Sequence, residues 1–134
     1  MKERWIAEPL VGVNGVKFGM KRSQVRKILN RPFRVIKARE DIDDFYVCHV
    51  CYIAEGRCEA IEICDCDRIE VEINGVLVFP TDLDIIPQIA SDFIYDEAGC
   101  DSVSKSIGIY IPDDRMEGIL FGEKGYSESI YANK

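Results

Sequence analysis

At 134 residues, 47% of them apolar, the chain has the length of one domain and enough hydrophobic side chains for a core. Its formal charge of −7 argues against a phosphate-binding surface, because nucleic-acid binders need clustered Lys and Arg to displace counterions. No apolar run could span a bilayer and Met-Lys-Glu-Arg-Trp lacks the apolar core of a signal peptide, so a cytoplasmic protein with six reduced cysteines is expected, without membrane or nucleic-acid partners.

In chain order, Val13-Asn-Gly-Val16 sets Asn-Gly between apolar residues, the mark of a tight two-residue turn. Met20, Val25, Ile28 and Leu29 then form an apolar stripe at helical spacing, opposed by Lys21, Arg22, Arg26 and Lys27, and Pro32 ends the helix. These cations read as a solvated helix face. Arg39-Glu-Asp-Ile-Asp-Asp44 reads as a charged loop before a β-hairpin that turns around Gly56. A three-residue bulged loop pairing Ile53 with Arg57 would put Val47, His49, Cys51, Ile53, Ile61 and Ile63 on one covered face.

A strand alternating Ile69, Val71 and Ile73 with Glu70 and Glu72 follows, and Ile73-Asn-Gly-Val76 repeats the earlier turn. A second helix is expected after Thr81 or Asp82, with Leu83, Ile86, Ile89 and Ala90 on one side and an extension toward Phe93 and Ile94. Asp96 to Asp101 reads as another charged loop. Tyr110 to Phe121 then matches Tyr52 to Ile63 at Tyr52/Tyr110, Ile53/Ile111, Arg57/Arg115, Glu59/Glu117 and Ile61/Ile119, so a second hairpin is expected with Ile107, Ile109, Ile111, Ile119 and Phe121 covered. The tail after Gly122 is expected to be loosely held. The expected fold is one α+β domain: two tandem helix-plus-β-hairpin units, about 11–66 and 71–122, forming one antiparallel sheet with the helices on one face.

Cys48-His-Val-Cys51 and Cys64-Asp-Cys66 have the paired spacing of a structural zinc site. Strand geometry works against it, since residues three apart point to opposite faces and Cys51, opposite Glu59, would lie roughly 17 Å from Cys64. No metal or cofactor is expected. His49, the only histidine, shares a face with Cys51, but strand neighbours about 7 Å apart with no oxyanion-binding helix terminus beside them do not make a catalytic pair. No enzyme is expected either.

If the second sheet face is open, Tyr46, Tyr52, Glu62, Tyr110 and Met116 form a tyrosine-bearing patch fit for a protein interface, with Asp41, Asp43, Asp44, Asp65 and Asp67 as an acidic rim.

Gly19-Met-Lys-Arg-Ser-Gln-Val-Arg-Lys-Ile-Leu-Asn-Arg-Pro32, ahead of a hairpin, resembles the Gly-Met-(Ser/Thr)-x-x-x-Val-x-x-x-Leu-Gly-x-Pro signature of BamE-like (SmpA/OmlA) domains, with Asn30 in place of the usual Gly. Doubled, it is similar to the β-lactamase-inhibitor-protein family, built of two such units with a concave protein-binding face. The resemblance implies a helix-plus-hairpin fold and a protein partner. In size and acidity the chain is also similar in kind to bacterial toxin-immunity proteins. The expected function is a small acidic protein-binding module, monomer or homodimer, acting as an immunity or inhibitor protein that caps a toxin with its open sheet. The alternatives are a cysteine-ligated metalloprotein and a homo-oligomerising structural protein.

Overall fold

The computed structural model describes residues 2–37 and 39–126, and of residues 39 and 40 the backbone alone. β1 (Glu3–Glu8) alternates buried Trp5 and Ala7 with exposed Arg4, Ile6 and Glu8, as a strand with one wet face does. β2 (Gly12–Val13) and β3 (Val16–Lys17) turn at Asn14 and Gly15, whose φ values of 51° and 84° are those a two-residue type I′ hairpin requires. α1 (Arg22–Leu29) buries Val25 and Leu29 and stops at Asn30, which takes the left-handed C-cap conformation at φ 43°. Asn30 thus fills the role glycine usually has there.

Four strands follow as a meander: β4 (Arg34–Ile36), β5 (Arg39–Asp44), β6 (Cys48–Tyr52) and β7 (Cys58–Cys64). β8 (Ile69–Ile73) and β9 (Val76–Phe79) then turn at Asn74 and Gly75, with φ of 52° and 81°. A 3-10 turn (Leu83–Ile85) leads into α2 (Ile86–Ile89). A second meander completes the described chain: β10 (Ile94–Tyr95), β11 (Gly99–Ser102), β12 (Ile107–Tyr110) and β13 (Gly118–Gly122).

These strands make two sheets, five-stranded in the order β3-β2-β1-β8-β9 and eight-stranded in the order β10-β11-β12-β13-β7-β6-β5-β4. Pairing is antiparallel except between β1 and β8. The two meanders meet where β13 lies against β7, with Ile119 opposite Ile63 and Phe121 opposite Ile61. Trp5, Val16, Ile69 and Val71 of the small sheet share one core with Val50, Tyr52, Ile61, Ile63, Ile107, Ile119 and Phe121 of the large one. The buried residues of the helices, Val25, Leu29 and Ile86, belong to that same core. No helix among the described residues is long and apolar enough to cross a membrane.

Neither the α+β class nor the picture of tandem helix-plus-hairpin units under one sheet survives: the fold is mostly strand, in two sheets, with two short helices. The physical reason is cover. Helices of eight and four residues cannot shield a broad sheet, and the five-stranded sheet, including the N-terminal arm as β1, does so instead. Pro87 in its first turn and extended backbone at Ala90 confine α2. Both segments that read as charged loops contribute strands, β5 and β11.

The hairpin registers differ from expectation in opposite ways. In the first, the loop forms as expected, with the Ile53 N–H donating to Arg57 O at 2.9 Å, but a bulge between Cys51 and Tyr52 sets Cys51 opposite Ala60 rather than Glu59. Cys48, Val50 and Tyr52 therefore face the core, and His49 and Cys51 face out. In the second, Tyr110 lies opposite Gly118 and the loop is longer, yet the shift is by an even number of residues. Ile107, Ile109, Ile119 and Phe121 face inward as expected. Of the tail, residues 127–134 lie outside the described residues.

Asp92 ties the segment after α2 to the second meander, accepting from the Ser102 hydroxyl at 2.6 Å and the Ser104 N–H at 2.9 Å. The Ser102 bond, then the Ser104 bonds, pull its carboxyl down to about 2. A depressed carboxylate stabilises the fold fully above the unfolded value of about 3.9 and loses that effect as pH falls through the folded value. Asp92→Asn is expected to melt below wild type at neutral pH, with the gap closing between about pH 4 and about pH 2 in thermal melts.

Candidate functional site

Alternation along the strands gives the eight-stranded sheet an outer face, and a single cross-strand row traverses it. Arg34 lies opposite Asp44, Asp44 opposite His49, His49 opposite Glu62 and Glu62 opposite Leu120. Leu120 lies opposite Gly108, Gly108 opposite Asp101 and Asp101 opposite Ile94.

The first half of this row is a charge ladder. Arg34 Nε donates to Asp44 Oδ2 at 2.9 Å, His49 Nε2 stands 3.4 Å from Asp44 Oδ1, and His49 Nδ1 stands 3.8 Å from Glu62 Oε1. Burial pushes the Asp44 carboxyl up, but the Tyr46 N–H, the Arg34 guanidinium and His49 outweigh it and hold it below the usual range. The Tyr46 N–H reaches Asp44 Oδ1 at 2.8 Å, which fixes the turn that presents Tyr46 at φ 71° with its side chain exposed. The ladder is thus a positioning device for a surface aromatic. Burial pushes the Cys48 and Cys58 thiols up to about 12 and Cys100 to about 11, and raises Cys64. The described residues hold no group of three or more His, Cys, Asp or Glu that could hold a metal ion.

The second half is a hollow of about 200 Å³ over Gly108. Gly99, Gly108 and Gly118 form its floor on three adjacent strands, and Glu62, Asp96, Asp101, Tyr110 and Leu120 stand around it. Tyr110 has Gly118 opposite on one side and Gly99 on the other, so no side chain stands directly across from it on either neighbouring strand. A Cβ at Gly108 would come 2.8 Å from Asp101 Oδ1, and one at Gly99 would fall on the Ile109 carbonyl oxygen. Side chains at either position would fill the hollow or break the pairing. The lining carries three carboxylates and, among the described residues, no basic side chain.

Under the inner face, Asp43 is fully buried and receives Arg26 Nε and Nη2, both at 2.8 Å, and the Tyr52 hydroxyl at 2.9 Å. Arg22 stacks 4.5 Å above the Tyr52 ring. Burial, then the bond to Asp43, pushes the Tyr52 phenol well above its usual range. This cluster clamps α1 to β5 and β6.

No protein-family model matches the chain, and neither does any curated protein or solved structure.

The expected partner-binding residues therefore divide. Tyr46 and Tyr110 are exposed and Glu62 is half-buried on the outer face, while Asp65 and Asp67 are exposed beyond β7 and Asp41 is half-buried in β5. Tyr52, Met116 and Asp43 lie inside, and Asp44 is buried beneath Tyr46. The bulge at Cys51/Tyr52 turned Tyr52 inward, and bonds to Arg26 and Arg34 drew Asp43 and Asp44 out of the rim. The glycine floor, with His49 and Asp101 on the same face, was missed. Its signal is a glycine two residues from a large or charged one on consecutive strands: Gly99 and Asp101, Gly108 and Tyr110, Gly118 and Leu120.

Proposed function

We propose that this chain is a protein-binding module that engages its partner with the outer face of the eight-stranded sheet. What supports the reading is one observation: Val25, Leu29 and Ile86 of the two helices are buried in the core on the other side, while Tyr110 stands 50% exposed on a face that neither helix covers. A half-exposed aromatic flanked by glycines on both neighbouring strands is the kind of anchor that dominates interface energetics. With the net charge of −7, the surface suits a basic partner, whose approach an acidic face accelerates. Capping a basic toxin, as an immunity protein does, is one form of that role.

The test is co-purification from the protein's own cells, with the captured partner identified and its affinity then measured. Tyr110→Ala combined with Leu120→Asp is expected to weaken binding by at least about 2 kcal/mol, roughly thirtyfold. Ile6→Asp, exposed on the other sheet, is expected to leave it unchanged. Equal loss in both variants, or in neither, would remove the basis for the assignment.

A further inference from the structure

We propose that copies of this chain associate head to tail, the β4 edge of one eight-stranded sheet adding to the β10 edge of the next. Every pairing in that sheet is antiparallel and its strands are even in number, so the two edge strands run in opposite directions. A second copy set beside the first in the same orientation therefore brings β4 antiparallel to β10. The pairing inside the sheet continues across the contact.

The side chains of the two edges match. β10 exposes Ile94 and Tyr95 at 72% and 61%, the highest values for large hydrophobic residues among the described ones, with Asp92 before it and Asp96 and Glu97 after it. The other edge reads Arg34-Val35-Ile36-Lys37, with Val35 exposed between two cations. Laid antiparallel, Val35 meets Ile94 and Tyr95, Arg34 comes toward Asp96 and Glu97, and Lys37 toward Asp92.

Charge decides which edges meet. The donors that reach Asp92 and Asp96 are a serine hydroxyl and backbone N–H groups, neutral groups that leave both carboxylates charged. Arg34 shares its charge with Asp44, while Lys37 has no ion-pair partner among the described residues. Setting β10 against β10 opposes acid to acid, and setting β4 against β4 opposes cation to cation. Charge on an edge strand ordinarily keeps copies apart; here, with one sign on each edge, it bars like edges and admits unlike ones. A contact between two different edges leaves one of each free, so it propagates instead of closing into a pair. Edge strands of three and two residues make a small contact, and the association is weak. It runs along the sheet's edges and stands whether or not a partner protein binds the outer face.

Sedimentation equilibrium of the full chain tests it, at concentrations up to about 1 mM in low salt and in about 0.5 M salt. The expected result is a weight-average mass that rises with concentration in low salt and falls back toward the monomer in high salt. Lys37→Glu alters the β4 edge alone and Glu97→Lys the β10 edge alone, at exposed positions where thermal melts verify the fold. Each should weaken self-association at least about fivefold. An equimolar mixture of the two should regain one contact of wild-type strength, between the intact β10 edge of the first and the intact β4 edge of the second, and stop at a dimer. A mass that stays monomeric throughout in low salt overturns the proposal. So does undiminished self-association of either variant, which would mean that like edges pair, or a mixture that associates no better than its components.

Discussion

Tyr52→Ala is expected to destabilise the protein by about 3–5 kcal/mol, whereas Tyr110→Ala costs less than about 0.5 kcal/mol. The two tyrosines occupy matching places in similar stretches of sequence, but Tyr52 is 1% exposed and Tyr110 50%. Truncating Tyr52 empties space in the core it shares with Val50 and Ile61, leaves Asp43 short of a donor, and removes the ring under Arg22. Tyr52→Phe separates these terms. It keeps the ring and forfeits only the hydrogen bond to a charged acceptor, worth about 1.5–3 kcal/mol. Urea unfolding of the three variants checks the ordering, and a Tyr110 effect as large as that of Tyr52 would mean the outer face is buried.

Asp43→Ala is the second large effect, expected at about 3 kcal/mol. Asp43 is fully buried and receives three donated hydrogen bonds, two from Arg26 and one from Tyr52. Its loss strands the guanidinium and the phenol together. The Arg26 side chain is 32% exposed, so part of the stranded charge can turn to water, which places the cost at the low end of the range for broken buried pairs. The combination Asp43→Ala with Tyr52→Phe should cost less than the sum of the single changes, since each removes the same bond. Chemical denaturation of the four proteins in the cycle measures that coupling.

Local signals carried far along this chain. The Asn-Gly turns, α1 with Val25 and Leu29 as its buried face, the β8 strand and the existence of both hairpins were legible, because each rests on a few neighbouring residues. What failed depended on partners distant in sequence. Arg39 to Asp44 looked like a loop since acidic residues are poor strand formers, and it takes Arg26 and Tyr52 at Asp43, and Arg34 and the Tyr46 N–H at Asp44, to make them acceptable in β5. The inward turn of Tyr52 follows from one bulge, which moves every side chain of β6 to the other face and leaves no distinct mark in the residues. Of the candidate site, Tyr46, Glu62 and Tyr110 could be found as surface groups, while the hollow could not, because it needs the register of three strands at once.

Hydroxyl-radical footprinting of the purified protein tests the open sheet face most directly. Tyr110 and Tyr46 are expected to oxidise rapidly at any protein concentration, while Tyr52 and Met116, 1% and 3% exposed, stay protected until the protein unfolds. Protection of Tyr110 to the level of Tyr52 in the dilute protein would contradict the account.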